Sequence, residues 1–159
     1  MFLENLNLAE GVRDHSNCYS SSRLDLTTVR ASLRYADPDK WTEDVLDSAE
    51  HRYRNYLDLR ARFQRAPLVP TKLVDSFWHA HILDTVAYHR DCDSIFGYYL
   101  HHDPLFGVGS NDAMIRLKVA FDQTCALYKD CFGSDFQDDQ LSSAVACASG
   151  CSGCSSVCQ

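Results

Sequence analysis

Residues 75–92 read Asp-Ser-Phe-Trp-His-Ala-His-Ile-Leu-Asp-Thr-Val-Ala-Tyr-His-Arg-Asp-Cys. Large and apolar side chains in this stretch recur every three or four residues, which is the period of an α-helix. The predicted face carries Val74, Trp78, His81, Thr85, Tyr88 and Cys92. Thr71 is typical of a helix N-cap and Gly97 of the residue that follows a helix. The pattern therefore predicts one helix from Lys72 to about Phe96.

Three further helices are predicted on either side of this stretch. They run from Leu24 to Asp37, from Pro38 to about Phe63, and from a Ser110 cap to about Gly133. Asp37 is the predicted cap of the second of these helices. Each helix has an apolar stripe of residues three or four positions apart. The first has Leu26, Val29 and Leu33, and the second has Trp41, Val45, Ala49, Tyr53, Tyr56, Leu59 and Phe63. The last has Met114, Leu117, Phe121, Cys125, Tyr128 and Phe132. No alternation of period two competes, so the predicted fold is all-α, a compact helical domain of about four main helices.

The composition divides the chain into three predicted parts. Residues 1–23 show no period and are expected to form a loose N-terminal arm. Residues 24–139 form the predicted helical domain, within the usual size of one domain, about 100–200 residues. Residues 140–159 carry no charged side chain and are rich in Ser, Ala, Gly and Cys. We expect this last part to be a flexible Cys-rich C-terminal tail.

Charge and hydropathy exclude two classes of partner. The net charge of -7 disfavours nucleic acid, because an acidic chain gains nothing from approaching phosphates. No apolar run approaches the roughly 20 residues that a membrane span requires. The first residues lack the basic and apolar regions of a secretory signal, so the expected compartment is the cytoplasm.

Histidine and aspartate in and after the quoted stretch are the candidate metal ligands. They are His79, His81, His102, Asp103 and Asp75. Neutral imidazole binds zinc, copper, iron or nickel, and a carboxylate can join it as a ligand or orient it. On a regular helix His79 and His81 point about 200° apart, so one ion cannot take both without help. A shared site therefore needs His102 and Asp103 to fold back over one of them.

Two other roles remain open for these side chains. A His–Asp pair without a metal is a general acid–base couple. A histidine on an apolar stripe can also belong to a structural polar network that only connects helices.

The stretch also resembles a known family. The residues that carry the resemblance are Asp75, Trp78, His79, His81, Tyr88, Asp91, Gly97, His102 and Asp103. They look like the signature of the glycine-rich domain-containing protein-like family, over about residues 24–135. The resemblance implies an all-helical domain, gives more weight to His79, His81 and His102 than to the other histidines, and implies no settled activity. The chain departs from that family because it has no long glycine-rich region.

Four cysteines of the tail form a second candidate metal site: Cys147, Cys151, Cys154 and Cys158. In a helix their sulfurs would fall within an arc of roughly 60°, and in a loop the central pair is a two-residue chelate. Closely spaced thiols favour Cu(I) or Zn(II), and a redox role is the other functional option for them. The alternatives are a low-complexity tail with incidental thiols, and a segment that a modifying enzyme uses as substrate. A protein or peptide partner is expected to bind through this tail.

Three functions follow from these observations. The first is a metal-binding protein with a His/Asp site and a thiol-rich tail, with zinc, copper or iron as the ion. The second is a metal- or His-dependent enzyme that acts on an unknown substrate, with a peptide as one option. The third is a non-catalytic interaction module in which the histidines are structural. No nucleophile–base pair and no phosphate-binding loop is readable from the spacing.

Overall fold

The computed structural model describes residues 21–137, and its regular elements are helical. A 3₁₀ turn at Ser21–Arg23 precedes five α-helices: Thr27–Ala36 (α1), Glu43–Arg62 (α2), Lys72–Leu83 (α3), Thr85–Phe96 (α4) and Asn111–Phe132 (α5). Residues 21–137 contain no β-strand, which confirms the all-α class. No helix in this range is long and apolar enough to cross a membrane.

Side-chain caps define most of the helix ends. The hydroxyls of Thr71 and Ser110 accept from backbone N–H groups in the first turns of α3 and α5, as the sequence predicts. Gly97 and Gly133 follow α4 and α5 in the left-handed conformation, which glycine adopts at little cost. The predicted cap at Asp37 is wrong. Thr42 caps α2 instead, and the Asp37 carboxylate accepts from the Lys40 N–H in the turn before it.

The predicted single helix over the quoted stretch is two helices. Asp84 has φ −81° and ψ 71°, so the helical path ends there, and its carboxylate accepts from the Ala87 N–H at 3.4 Å. Aspartate favours this role because its short side chain satisfies a free N–H of the first helical turn. The break lets α3 and α4 pack against each other, which a continuous helix would prevent.

Helix α2 is the centre of the core. Ala49, Tyr53 and Tyr56 on its inner face are completely buried, and α2 packs against both α3 and α5. Helix α3 in turn packs against α1 and α4. The stripe predicted for α2 is therefore largely the one that is buried.

The buried face of α5 matches the predicted stripe only in part: Tyr128 is buried and Phe121 packs against the core, as predicted. Met114 is 49% exposed, whereas the small side chains of Ala113, Ala120 and Thr124 are buried. The Thr124 hydroxyl accepts from the Val69 N–H at 2.9 Å. Small residues permit the segment before α3 to approach α5 closely, so size and hydrogen bonding, rather than hydropathy alone, select the inner face.

The helix break at Asp84 leads to a first prediction. We expect Asp84→Ala to lower the free energy of unfolding by about 1 kcal/mol, because α4 loses its N-cap. Urea unfolding followed by circular dichroism measures the change. Asp93→Ala is the matched control, because it removes an exposed aspartate from the last turn of the same helix, away from the capped end. Equal stability of the two variants would contradict the capping role.

Candidate metal centre

Three of the sequence-predicted side chains come together on the surface of α3. Asp75 and His79 are four residues apart on this helix, so their side chains are neighbours on one face. His102 reaches them from the connection between α4 and α5. Its Nε2 atom lies 2.8 Å from Oδ1 of Asp75 and 3.1 Å from Nε2 of His79. The remaining pair, His79 Nε2 and Asp75 Oδ2, is 3.8 Å apart.

These separations suit a shared metal ion. Each residue offers one ligand atom, and the three atoms lie within 4.8 Å of one another. Ligand atoms held 2.0–2.1 Å from a tetrahedral ion are roughly 3.3 Å apart, close to the distances above. The side chains of His79, Asp75 and His102 are 51%, 34% and 16% exposed, so an ion among them would remain open to solvent on one side. The group can hold a metal ion.

A buried hydroxyl positions the segment that carries His102. The Tyr88 O–H donates to the Leu100 carbonyl at 2.6 Å and accepts from the Trp78 Nε1–H at 2.9 Å. The indole of Trp78 also packs on the His102 imidazole, with 4.6 Å between ring centres. Burial raises the pKa of Tyr88, so this phenol stays protonated and keeps its donor. These contacts tie His102 to both α3 and α4.

His81 lies in the core, away from the other histidines. Its side chain is 1% exposed, with Nε2 at 3.2 Å from Oδ2 of Asp91 and Nδ1 at 2.9 Å from the Tyr53 hydroxyl. Burial lowers the pKa of His81 although the Asp91 carboxylate opposes that shift. The neutral imidazole then donates through Nε2 to Asp91 and accepts at Nδ1 from the Tyr53 O–H. Both ring nitrogens are occupied, so His81 has the structural role that the sequence left open.

Asp103 and the tail cysteines also lie apart from the three-residue group. The Asp103 carboxylate accepts from the Leu105 N–H at 3.0 Å within its own turn, and Asp103 is not a member of the group. Cys147, Cys151, Cys154 and Cys158 lie outside the described residues. The predicted thiol site in the tail therefore stays a prediction.

Sequence reasoning missed the partners of His81. Tyr53 lies on another helix, 28 residues earlier in the chain, and no local spacing links it to His81. Asp91 was named among the residues that carry the family resemblance, but it was not predicted to be the partner of His81. The spacing of Asp75 and His79, in contrast, was a local signal and was sufficient to place them together.

A family model described as UCP032817-like matches residues 24–130, about two thirds of the chain. The chain belongs to the UCP032817-like family. This family is uncharacterised, so membership supports no particular activity. The expected resemblance to the glycine-rich domain-containing protein-like family is wrong, because the match over the whole helical domain is to a different family. No curated protein and no solved structure matches the chain.

The buried imidazole generates a prediction about pH. Between the ordinary histidine pKa of 6.5 and the lowered pKa of native His81, the unfolded chain binds more protons than the folded one. This contribution to stability is present above pH 6.5 and is lost as the pH falls below it. His81→Asn should unfold more easily by about 2–3 kcal/mol at pH 7, since it leaves buried polar groups unpaired. Its stability should fall less than that of the parent between pH 7 and pH 5.

Chemical denaturation at a series of pH values measures both effects. His89→Asn is the control, because it removes an exposed imidazole from α4. This control should keep the pH dependence of the parent. If the unfolding free energy of His81→Asn depended on pH as steeply as that of the parent, the neutral buried imidazole would be contradicted.

Proposed function

We propose that this protein binds one divalent transition-metal ion through Asp75, His79 and His102. The convergence of two imidazole nitrogens and one carboxylate oxygen within 4.8 Å carries the proposal. This donor set holds zinc in several hydrolases and iron in the non-haem oxygenases. Zinc and ferrous iron are accordingly the favoured ions.

The donor set disfavours other ions. Copper(I) prefers thiolate and thioether ligands, which the group lacks. Calcium and magnesium prefer oxygen ligands, and here two of the three donors are nitrogens. A thiol-bound ion remains a separate prediction for the cysteines of the tail.

A metal-dependent enzyme is the second candidate function. Three protein ligands leave coordination positions for water and substrate, as in catalytic zinc sites. The observation that favours this function is a cavity of about 360 Å³ lined by Asp75 and His102. Its volume lies within the range of small-molecule sites, about 300–1,000 Å³.

Elemental analysis of full-length protein purified without chelator tests the metal site, together with zinc and ferrous-iron titration of the metal-free chain. We expect one ion per chain in a variant with all four tail cysteines changed to serine. In that background Asp75→Asn, His79→Ala and His102→Ala should each weaken binding by more than about 100-fold. Loss of a group outside the ligand set already costs 10–100-fold in known sites, and a ligand should cost more.

His101→Ala is the matched control, because it removes the neighbouring imidazole in the same loop and should leave the affinity unchanged. Circular dichroism checks that each variant is folded. Unchanged binding in all three ligand variants would exclude the proposed centre. Metal binding that disappears only in the cysteine variant would place the site in the tail.

A further inference from the structure

The cavity beside the candidate metal centre contains a cationic side chain with unused hydrogen-bonding capacity. Arg60, from α2, lines the cavity, and its Nε atom is buried without a hydrogen-bond partner. Within residues 21–137 its guanidinium makes one hydrogen bond, from Nη1 to the Ala66 carbonyl at 3.3 Å. The buried Nε–H is not accessible to a ligand, and no partner for Nη2 is found within the same residues, so a ligand in the cavity would pair through the terminal Nη groups.

Two cationic side chains in the cavity wall have no carboxylate partner within residues 21–137. Arg60 and Lys72 both line it, and neither forms an ion pair with a carboxylate of the described residues. The carboxylates in the wall have other partners: Asp75 lies against His102, and Asp103 accepts from its own turn. A divalent ion bound at Asp75 would add further positive charge. The two cations and the two carboxylates of the wall balance in formal charge, so the preference for an anion depends on the unpaired guanidinium of Arg60.

The remaining wall is suited to an organic molecule. Phe106 and Leu117 supply the accessible apolar surface, whereas Tyr56, Trp78 and Leu68 of the same wall are almost fully buried. An apolar wall with a few polar groups is typical of sites for small organic ligands. A guanidinium can bind a carboxylate or a phosphate group through two parallel hydrogen bonds.

We propose that this cavity binds a small organic anion, whose carboxylate or phosphate group pairs with Arg60 and whose apolar body packs on Phe106 and Leu117. Lys72 adds a second positive charge. Asp75 and His102 line the same cavity, so the bound molecule would lie beside the ion. The link to the ion rests on the proposed metal function, whereas the pairing with Arg60 does not require a metal.

Calorimetric titration of the full chain with benzoate, phenyl phosphate and neutral benzamide tests the proposal. The titrations are made on metal-free and on zinc-loaded protein. We expect both anions to bind the metal-free chain at least tenfold more tightly than benzamide. The better of the two anions identifies the anionic group of the natural ligand. The methyl NMR signals of Leu117 should shift on titration, because this partly exposed side chain lines the cavity.

Arg60→Met is the decisive variant, because methionine replaces the unbranched aliphatic part of the arginine side chain and lacks the guanidinium. We expect it to lose about 10- to 100-fold in anion affinity, the usual value of a charge-assisted hydrogen bond. Arg65→Met is the matched control, since it removes an equal charge from an exposed position nearby. Thermal unfolding checks whether the loss of the Ala66 contact disturbs the fold. If Arg60→Met unfolds, Arg60→Lys replaces it and should weaken the preference for the anions over benzamide.

The outcomes separate this proposal from the metal function. Metal binding with equal affinity for benzoate, phenyl phosphate and benzamide would overturn the anion site and leave the metal centre standing. Anion binding that depends on Arg60 but never on a metal would support the anion site even if the metal centre fails. Equal anion affinity in Arg60→Met and Arg65→Met would exclude Arg60 as the anchor. Unmoved Leu117 methyl signals would exclude this cavity.

Discussion

The hydroxyl group of Tyr88 joins three parts of the molecule that are separate in sequence. It accepts from Trp78 on α3 and donates to the carbonyl of Leu100, while its own backbone belongs to α4. The segment after α4 thereby returns toward α3 and brings His102 beside Asp75. Because the Tyr88 side chain is buried, neither hydrogen bond is exchanged for water at low cost. The candidate centre depends on this buried contact.

Burial gives the two histidines of α3 different chemistry. His81 is enclosed between Tyr53 and Asp91, so it is held neutral and both ring nitrogens are occupied. His79 is half exposed and faces His102. The first arrangement stabilises the packing of α2, α3 and α4, whereas the second leaves nitrogen atoms accessible to an ion. His79 and His81 are only two residues apart on α3, but the side chain of His79 is exposed and that of His81 is buried.

Local sequence signals predicted most of the helical architecture. The caps at Thr71 and Ser110 and the glycines after α4 and α5 depend on contacts within one turn, and they were readable. The division between α3 and α4 was missed, because the face from Val74 to Cys92 has a continuous helical period. Hydropathy also misplaced the first part of the inner face of α5, where close packing selects Ala120 and Thr124 over Met114, but it placed Tyr128 correctly.

The sequence by itself determined the helical class and the pairing of Asp75 with His79, because both follow from the geometry of a single helix. Only the tertiary structure decided that His102 joins this pair and that His81 does not. It also decided that Arg60 lines the same cavity as the centre. These relations link residues that are between 15 and 42 positions apart in the chain. They arise from the break at Asp84 and from the packing of helices. The periodicity of side chains along a single helix contains no information about either.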